Sequence, residues 1–423
     1  MAARVGAMRR PIRFGIRGMN LIRFGYRNTR QLDETYRGWR TEMKRLNSVI
    51  AIGSAAIALA SGAAHAQDDV VKLGFAGPLT GQNANLGKDV ERGARMAVDD
   101  LNANPPVIGG RKVRIELQVE DDAGDPRQAT QVAQRLVDAG VKGVVGHFNS
   151  GATIPASKIY HDARIPEISQ SSTNPKYTQQ GFDTAFRLVA NDGQLGSVLG
   201  KYAVQKWNAR SVAVIDDRTA YGQGIADEFL KSATSAGAKL VSRQYTTDKA
   251  TDFRGVLTAM KGENPDVVFY GGMDAQGGPM IKQMQQLGMA SKFMGGDGIC
   301  TGELPDLAGA ALNGRQVICA EAGGITPEYA PGMENFRKRF KQKYGQDVVI
   351  YAPYAYDAIM ILVDAMKRAG SADPAKYLPY LKKTDYKGVI GETRFDAKGD
   401  LQNATLTLYT FKDGKRESLG VQH

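Results

Sequence analysis

The chain has 423 residues, of which 42% are hydrophobic and 23% are charged, and its formal net charge is +11. This composition excludes a largely disordered chain, a collagen-like fibre and a coiled coil. Twelve of the 55 basic and three of the 44 acidic residues lie in the first 66 positions, which leaves 43 basic and 41 acidic residues in 67–423. A body so close to neutral lacks the basic surface that nucleic acid requires.

The beginning of the chain has the pattern of a targeting segment. A basic start at Met43 is followed by an apolar run over 49–60 and by the small-residue sequence Ala-His-Ala over 64–66. This order is typical of a secretory signal peptide, and the apolar run is shorter than the roughly 20 residues of a membrane span. We therefore predict cleavage after Ala66 and export of the mature protein.

The arginine-rich segment 1–42 fits no part of a signal peptide. We interpret Met43 as the true start of translation, and the alternative is that 1–42 forms a genuine basic leader. On both interpretations the residues before 67 are excluded from the mature domain.

The remainder of the chain alternates apolar strands with helices. In the first unit, strands are predicted over 70–77, 112–120, 143–148 and 164–169. Apolar residues at helical spacing after residue 86, the cap and first-turn proline at Asp125-Pro126, and the polar start at Ser150 predict helices between these strands. This order implies parallel strand pairing with right-handed crossovers.

The pattern then repeats in a second unit. Its helices are predicted over 194–207, 222–236, 253–261 and 279–287. Its strands are predicted over 211–216, 239–246, 267–271 and 292–296. Doubly wound sheets bind ligands at the carboxyl ends of their strands, and two facing units form a cleft. The predicted fold class is therefore α/β, with two doubly wound lobes and a ligand cleft between them.

Hydroxyl groups follow two neighbouring strands of the first unit. Ser150 comes after the strand 143–148, and Ser171, Ser172 and Thr173 come after the next one. Hydroxyls and free N–H groups at helix entrances are suited to hold a carboxylate. Taken singly, each of these residues is more often an ordinary helix cap. Together they predict an anion site.

Two residues of the second unit occupy comparable positions. Asp297 closes the strand 292–296, and in a cleft its carboxylate would pair with an ammonium group, although an Asp beside Gly is usually turn chemistry. Tyr221 follows the first strand of this unit. It either covers a ligand or is simply an aromatic residue at a helix start.

The sequence lacks signals for catalysis and for cofactors. His147, His161 and His423 show no metal-ligand spacing, and no dinucleotide loop, phosphate loop or Gly-x-Ser-x-Gly elbow occurs. We therefore predict that the protein is not an enzyme and uses neither a cofactor nor a metal. Cys300 and Cys319 form either one disulfide or two buried thiols, because their spacing alone does not fix the geometry.

Six stretches of the mature chain are distinctive, and they occur in a characteristic order. They are 74–86 (GFAGPLTGQNANL), 120–127 (EDDAGDPR), 144–157 (VVGHFNSGATIPAS), 217–225 (DRTAYGQGI), 267–272 (VVFYGG) and 293–298 (FMGGDG). On these stretches the chain resembles the periplasmic substrate-binding proteins of branched-chain amino acid ABC transporters, the leucine/isoleucine/valine-binding type. The similarity extends over essentially all of 67–423.

The resemblance implies a type I periplasmic binding fold, in which two lobes joined by three hinge crossings close over one amino acid. It implies a first lobe of 67–188 plus 323–388 and a second lobe of 189–322 plus 389–423. The expected partners are a small-molecule ligand, namely Leu, Ile or Val, and the membrane permease of the transporter. The protein is expected to be a monomer and to bind no nucleic acid.

The resemblance also assigns roles to residues already singled out. Ser150 and Thr173 correspond to residues that bind the ligand carboxylate. Ser171 corresponds to a residue whose backbone carbonyl accepts a hydrogen bond from the ligand's ammonium group. Asp297 corresponds to the acidic partner of that group, and Tyr221 to a tyrosine that covers the ligand.

Three departures from the family pattern bear on the ligand. Asp297 stands in place of a longer Glu, and Leu86 and Met273 stand where the leucine-binding type often presents aromatic residues. Because Leu and Met are apolar and adaptable, these changes either preserve an aliphatic pocket or shift the preference to another amino acid, a short amide, or an aromatic or keto acid. A ligand-sensing receptor domain is a further alternative, and it would require a membrane anchor or an effector segment.

Overall fold

The computed structural model describes residues 69–422. The expectations about a signal peptide and a basic extension concern residues 1–66 and lie outside the described part of the chain. Within 69–422, two sheets covered by helices form two lobes, which confirms the predicted α/β class. None of the helices in this range is long and apolar enough to span a membrane.

The strands of the described chain form two large sheets and one small hairpin. They are β1 (Asp69–Gly77), β2 (Val107–Ile108), β3 (Arg111–Asp121), β4 (Val144–Val145), β5 (Glu167–Ser169), β6 (Ala185–Arg187), β7 (Ser211–Asp216), β8 (Lys239–Tyr245), β9 (Val267–Gly271), β10 (Lys292–Gly295), β11 (Val317–Glu321), β12 (Tyr386–Gly388), β13 (Gly391–Thr393), β14 (Leu406–Lys412) and β15 (Lys415–Gln422). The first sheet has the order β2-β3-β1-β4-β5-β6, and all its pairs are parallel except β2–β3. The second has the order β15-β14-β11-β10-β9-β7-β8, with β14 and β15 antiparallel. Strands β12 and β13 form the hairpin.

Helices flank both sheets. They are α1 (Ala84–Ala103), α2 (Pro126–Asp138), α3 (Ser150–Asp162), α4 (Lys176–Gln179), α5 (Asp192–Gln205), α6 (Ala220–Ser235), α7 (Arg254–Lys261), α8 (Asp274–Gln286), α9 (Leu304–Ala308), α10 (Ala330–Tyr344), α11 (Ala352–Ala369) and α12 (Pro374–Leu381). Their termini follow the expected chemistry. Asp125 caps α2 by accepting the N–H groups of Arg127 and Gln128, and α11 ends at Gly370 in the left-handed conformation.

Helix α11 packs closely against α1 beside the first sheet. A β-carbon on Gly93 would lie 2.0 Å from the carbonyl oxygen of Ala352, so glycine is required at this crossing. The buried carboxylate of Asp89 on α1 accepts backbone N–H groups at the start of α11, including those of Ile350 and Tyr351. Helix α1 therefore fixes the position at which α11 begins.

The predicted strand 143–148 is shorter in the structure, where β4 contains only Val144 and Val145. The backbone leaves the strand at Gly146, which has a φ of 137°. A β-carbon at this residue would lie 2.2 Å from the carbonyl oxygen of Ala76. The apolar run that predicted a longer strand therefore continues as a buried loop that leads to α3.

The chain passes between the two sheets three times: after β6, after β11 and before β14. The first two crossings are hydrogen-bonded to each other, because Ala190 N–H donates to the carbonyl oxygen of Ala322 at 3.2 Å. In the second lobe, Cys300 and Cys319 form a disulfide with their Cα atoms 5.3 Å apart. This bond ties the loop after β10 to β11.

Candidate ligand-binding site

A small cavity lies between the lobes, at the carboxyl ends of strands from both sheets. Its volume is about 20 Å³ in this arrangement of the lobes, which is room for roughly one water molecule. The residues that line it are Leu86, Phe148, Asn149, Ser150, Ser171, Tyr221, Met273, Asp297, Gly298, Thr301, Ile350 and Tyr351. Six of the eight residues expected from the sequence are among them: Leu86, Ser150, Ser171, Tyr221, Met273 and Asp297.

Asp297 is the buried carboxylate of the cavity. It begins a short 3-10 turn directly after β10, and it is 6% exposed. Its Oδ2 accepts a hydrogen bond from the Tyr351 hydroxyl at 2.8 Å, whereas its Oδ1 has no hydrogen-bond partner within 69–422. Burial raises the pKa of Asp297 to about 6, against the opposing effect of the hydrogen bond from Tyr351. A buried acceptor without a partner is suited to bind a cation.

Tyr221 forms part of the cavity wall at the start of α6. Its hydroxyl accepts the backbone N–H of Gly298 at 2.8 Å. A β-carbon on Gly298 would lie 2.8 Å from the Tyr221 ring and 2.6 Å from the carbonyl oxygen of Gly272. Glycine at 298 therefore allows the tyrosine ring to lie directly against the turn that carries Asp297.

The opposite chemistry is found at the N-terminus of α3. Ser150 is the first residue of this helix, and its hydroxyl oxygen accepts the N–H of Asn174 at 3.2 Å. Asn149 caps the helix without a side-chain hydrogen bond, and its buried Oδ1 has no partner among the described residues. The first N–H groups of a helix lack intrahelical acceptors and lie at the positive end of its dipole. This end of the cavity therefore favours an anion.

The three hydroxyl residues after β5 have different environments. Ser171 lines the cavity, and its hydroxyl donates to the carbonyl oxygen of Phe148 at 2.9 Å. Ser172 is not among the lining residues, since its hydroxyl bonds to that of Thr153. Thr173 is also fully buried outside the lining, and its hydroxyl has no hydrogen-bond partner in 69–422.

Sequence reasoning missed two lining residues at the start of α11, Ile350 and Tyr351. A local signal existed, because Pro353 at the first turn marks a helix start. No local pattern predicts the contact of Tyr351 with Asp297, because Asp297 is 54 residues earlier in the chain. The contact depends on Asp89, whose carboxylate holds the start of α11 in place.

Further hydrogen bonds join the lobes around the cavity. The Asn174 side-chain amide donates to the carbonyl oxygen of Ala220 at 2.6 Å. The Gln276 amide donates to the Gln82 side chain at 2.7 Å. These two bonds and the bond from Tyr351 to Asp297 hold the lobes in a closed arrangement.

A larger cavity of about 360 Å³, open to solvent, lies at the crossings. Its walls include Leu188, Gly324 and Thr405, one residue from each crossing. Three charged residues line it: Glu328, Glu392 and Arg394. Glu392 and Arg394 lie 3.5 Å apart and are 40% and 47% exposed. A solvated ion pair binds a ligand weakly, so this cavity is a poorer candidate than the one at Asp297.

His147, which comes three residues before Ser150, belongs to a separate buried cluster. His147 Nδ1 lies 2.6 Å from Asp122 Oδ2, and its Nε2 lies 3.1 Å from the Tyr160 hydroxyl. All three side chains are fully buried and none lines the cavity. Across residues 69–422, no group of three or more His, Cys, Asp or Glu side chains is arranged to hold a metal ion.

Comparison with known proteins relates this geometry to a family. The sequence model of the periplasmic binding protein family matches residues 70–416. The chain is 38% identical to an amino acid binding protein of Pseudomonas aeruginosa, over 84% of this chain and 94% of that protein. It is 36% identical to Leu/Ile/Val-binding protein homolog 1 of Brucella suis, over 87% of this chain and 95% of that protein.

Solved structures agree with these relatives. The branched-chain amino acid transporter substrate-binding protein LivJ of Streptococcus pneumoniae, in complex with isoleucine, has a TM-score of 0.74 and 28% identity, over 84% of this chain and 99% of that chain. A solute-binding protein of Rhodopseudomonas palustris in complex with benzoate has a TM-score of 0.73 at 22% identity, over 83% of this chain and 96% of that chain, and it shows the fold alone. The chain therefore belongs to the periplasmic binding protein family, as a non-enzymatic, extracytoplasmic solute-binding protein of an ABC transporter.

Proposed function

We propose that this protein captures a branched-chain aliphatic amino acid, namely Leu, Ile or Val, in the cavity at Asp297 and delivers it to the membrane permease of its transporter. The observation that carries the proposal is the pair of opposite polar ends in one small cavity. A buried carboxylate lies at one end and a helix N-terminus at the other. An α-amino acid carries the matching ammonium and carboxylate groups.

The ammonium group is assigned to Asp297. The free Oδ1 of this side chain would accept one ammonium N–H, and charge-assisted hydrogen bonds of this kind are about twice as strong as neutral ones. The ligand carboxylate is assigned to the Ser150 hydroxyl and the first N–H groups of α3. Tyr221 is proposed to cover the bound ligand, and Ser171 to lie beside it.

The aliphatic preference rests on the remaining walls of the cavity. Leu86, Phe148, Met273 and Ile350 supply apolar surface, and all four are less than one tenth exposed. Burying an aliphatic side chain against such surface stabilises the complex by roughly 1.5–3 kcal/mol. Ser172 and Thr173, which the sequence pointed to as ligand residues, are proposed to support the site from behind its wall.

Aromatic acids are the second candidate ligands, because a structural neighbour was solved with benzoate. Benzoate would satisfy the helix N-terminus but would bring no cation to Asp297. An ionised carboxylate would then remain buried without a partner, which is unfavourable. This argument favours an amino acid over an acid without an amino group.

Calorimetric titration of ligand-stripped protein tests the proposal. The sharpest comparison is between leucine and 4-methyl-2-oxopentanoate. The two compounds have the same carbon skeleton, but the second has a keto oxygen where leucine has its ammonium group. We expect leucine to bind at least about tenfold more tightly, corresponding to one charged hydrogen bond. Titration with the other amino acids and with benzoate then ranks the ligands. Equal or tighter binding of the keto acid or of benzoate would overturn the assignment of Asp297.

We also propose that the mature protein begins at Gln67 in the periplasm, that it acts as a monomer, and that its first lobe is 67–188 plus 323–388 and its second 189–322 plus 389–423. N-terminal sequencing of the exported protein tests the cleavage site. Light scattering with and without leucine tests the oligomeric state. Limited proteolysis tests the third crossing, where Gln402 and Asn403 are exposed and should be cut before the packed sheets.

A further inference from the structure

Arg187 is a fully buried arginine at the end of β6, and it does not line the ligand cavity. Its Nη1 donates to the carbonyl oxygens of Ser172 and Asn174, each at 2.9 Å. Its Nη2 donates to the Thr178 hydroxyl at 2.7 Å, and its Nε donates to Asp400 Oδ1 at 2.8 Å. One guanidinium group therefore bonds to three separate parts of the chain.

The first of these parts is the loop that follows β5. The two carbonyl groups that Arg187 binds lie on either side of Thr173, and Ser171 at the beginning of the loop lines the cavity. The N–H of Asn174 donates to the Ser150 hydroxyl, so the same loop also orients the serine at the start of α3. Arg187 thus holds the loop from behind while the loop faces the ligand.

The second part is the segment that precedes the third crossing. Asp400 is 18% exposed and closes a tight turn in which Asp396 accepts its backbone N–H at 2.9 Å. The turn also lies against β6, because the backbone N–H of Arg187 donates to the carbonyl oxygen of Gly399. A β-carbon on Gly399 would lie 2.0 Å from the carbonyl oxygen of Ala185, so the close approach requires glycine.

We propose that Arg187 is a positioning residue that holds the ligand-facing loop 171–174 in its binding conformation and links it through Asp400 to the third crossing between the lobes. The inference rests on the proposed function for its effect on ligand affinity. Its effect on the loop is independent of any ligand. Only a planar guanidinium reaches these carbonyl, hydroxyl and carboxylate acceptors at once, and a lysine ammonium in its place would leave some of them without a donor.

The test compares Arg187→Lys with a matched control, Arg315→Lys. Arg315 also donates to two backbone carbonyls, those of Ser291 and Met289, but at the end of β10 opposite to Asp297. Both variants lose arginine-to-carbonyl bonds and keep the charge. Only Arg187→Lys is expected to alter the site.

Hydrogen exchange of the ligand-free protein is measured first, on peptides that cover 169–175. The N–H of Ser172 donates to the Ser169 hydroxyl and that of Asn174 to Ser150, so both amides report the order of the loop. In Arg187→Lys we expect these amides to exchange about tenfold faster than in the wild type, and leucine to bind about tenfold more weakly. In Arg315→Lys the loop exchange and the leucine affinity are expected to stay at their wild-type values.

A folded Arg187→Lys protein with wild-type exchange at these amides would overturn the inference, as would equal effects in the control. If Arg187→Lys does not fold, the variant Asp400→Asn is measured instead. Asparagine keeps an oxygen acceptor at this position and removes only the negative charge. We expect faster loop exchange in Asp400→Asn, and unchanged exchange would overturn the link to the third crossing. Absence of leucine binding in the wild type would contradict the proposed function, while the exchange measurement would still decide the role of Arg187.

Discussion

Tyr351 and Asp297 meet across the cleft, where the tyrosine hydroxyl of the first lobe donates to Oδ2 of the aspartate in the second at 2.8 Å. This bond satisfies one oxygen of the buried carboxylate and leaves the other free for a ligand. It also joins the two lobes directly at the proposed ammonium site. Ligand binding and lobe closure therefore share one residue.

The substitution Tyr351→Phe should weaken leucine binding at least about tenfold, since a hydrogen bond to a charged group contributes roughly 1.5–3 kcal/mol. Calorimetry measures the change. The matched control is Tyr356→Phe on the same helix, because the Tyr356 hydroxyl also donates to an aspartate, Asp100, at 2.8 Å. Comparable losses in both variants would mean that the effect arises from helix stability and not from the site.

The substitution Ser150→Ala should lower the affinity for leucine by at least about 1.5 kcal/mol, because it removes a hydroxyl assigned to the ligand carboxylate. Ser157→Ala on the same helix is the control, since the Ser157 hydroxyl donates to the Ile154 carbonyl oxygen away from the cavity. Titration of both variants separates the site from general helix effects. Unchanged binding in Ser150→Ala would contradict the assigned anion end.

Leucine affinity should depend on pH through Asp297, because burial raises the pKa of this residue to about 6. The ammonium group pairs with the ionised carboxylate. As pH falls below about 6, affinity should therefore decrease, approaching tenfold per pH unit. Titrations between pH 5 and pH 8 measure the slope, and Asp297→Asn should abolish it. A flat profile in the wild type would show that Asp297 does not bind the ammonium group.

The stability of the ligand-free protein should change with pH in the opposite direction. Burial raises the pKa of Asp217 and Asp274 to about 6 and that of Asp357 to about 7, from an ordinary value of 3.8. Between about pH 4 and pH 7 the folded state thus binds more protons than the unfolded state. The free energy of unfolding should fall as pH rises through this window. Urea unfolding at several pH values tests the sign, and a stability that rises with pH would contradict it.

The substitution Gly298→Ala should reduce leucine binding more than it reduces stability. Its β-carbon would lie 2.8 Å from the Tyr221 ring and 2.9 Å from the Met273 sulfur, so both of these cavity-lining side chains would have to shift. Gly302→Ala in the same loop is the control, because nothing lies within 4 Å of its added β-carbon. Wild-type affinity in Gly298→Ala would show that the ring is free to move without closing the site.

Removal of the Cys300–Cys319 disulfide should lower the free energy of unfolding by about 3 kcal/mol, as expected for a loop of 19 residues. Thermal unfolding of the double serine variant measures this loss. Neither cysteine lines the cavity, so leucine affinity at low temperature should remain unchanged. A large loss of affinity would instead assign the bond a role in holding the turn at Asp297.

The parts of this fold that were predictable are those that local patterns encode. Strands such as Ser211–Asp216 and Val267–Gly271 are short apolar runs with clear ends, and the sequence predicted their bounds. Helix α8 begins at Asp274, five residues before the predicted start at Pro279. The predicted helix began at this proline, which lies inside the observed helix.

Residues that line the cavity were predictable where they come within a few residues of the end of a strand, as Ser150 and Asp297 do. Lining residues were not predictable where they come from a distant part of the chain, or where the direction of the side chain determines whether it reaches the cavity. Tyr351 reaches Asp297 only because α1 fixes the start of α11. Ser171 and Ser172 are adjacent and chemically alike, yet only the first lines the cavity.

The three crossings mean that neither lobe is a continuous piece of chain. Helices α11 and α12, which cover the first sheet, come after the parallel strands β7 to β11 of the second sheet. Strands β14 and β15 complete the second sheet only over 406–422. A growing chain therefore has no finished domain to fold until its last twenty or so residues have emerged. Contacts this distant in sequence form slowly. The polypeptide should consequently remain unfolded through most of its synthesis, which is the state that export through a narrow channel requires.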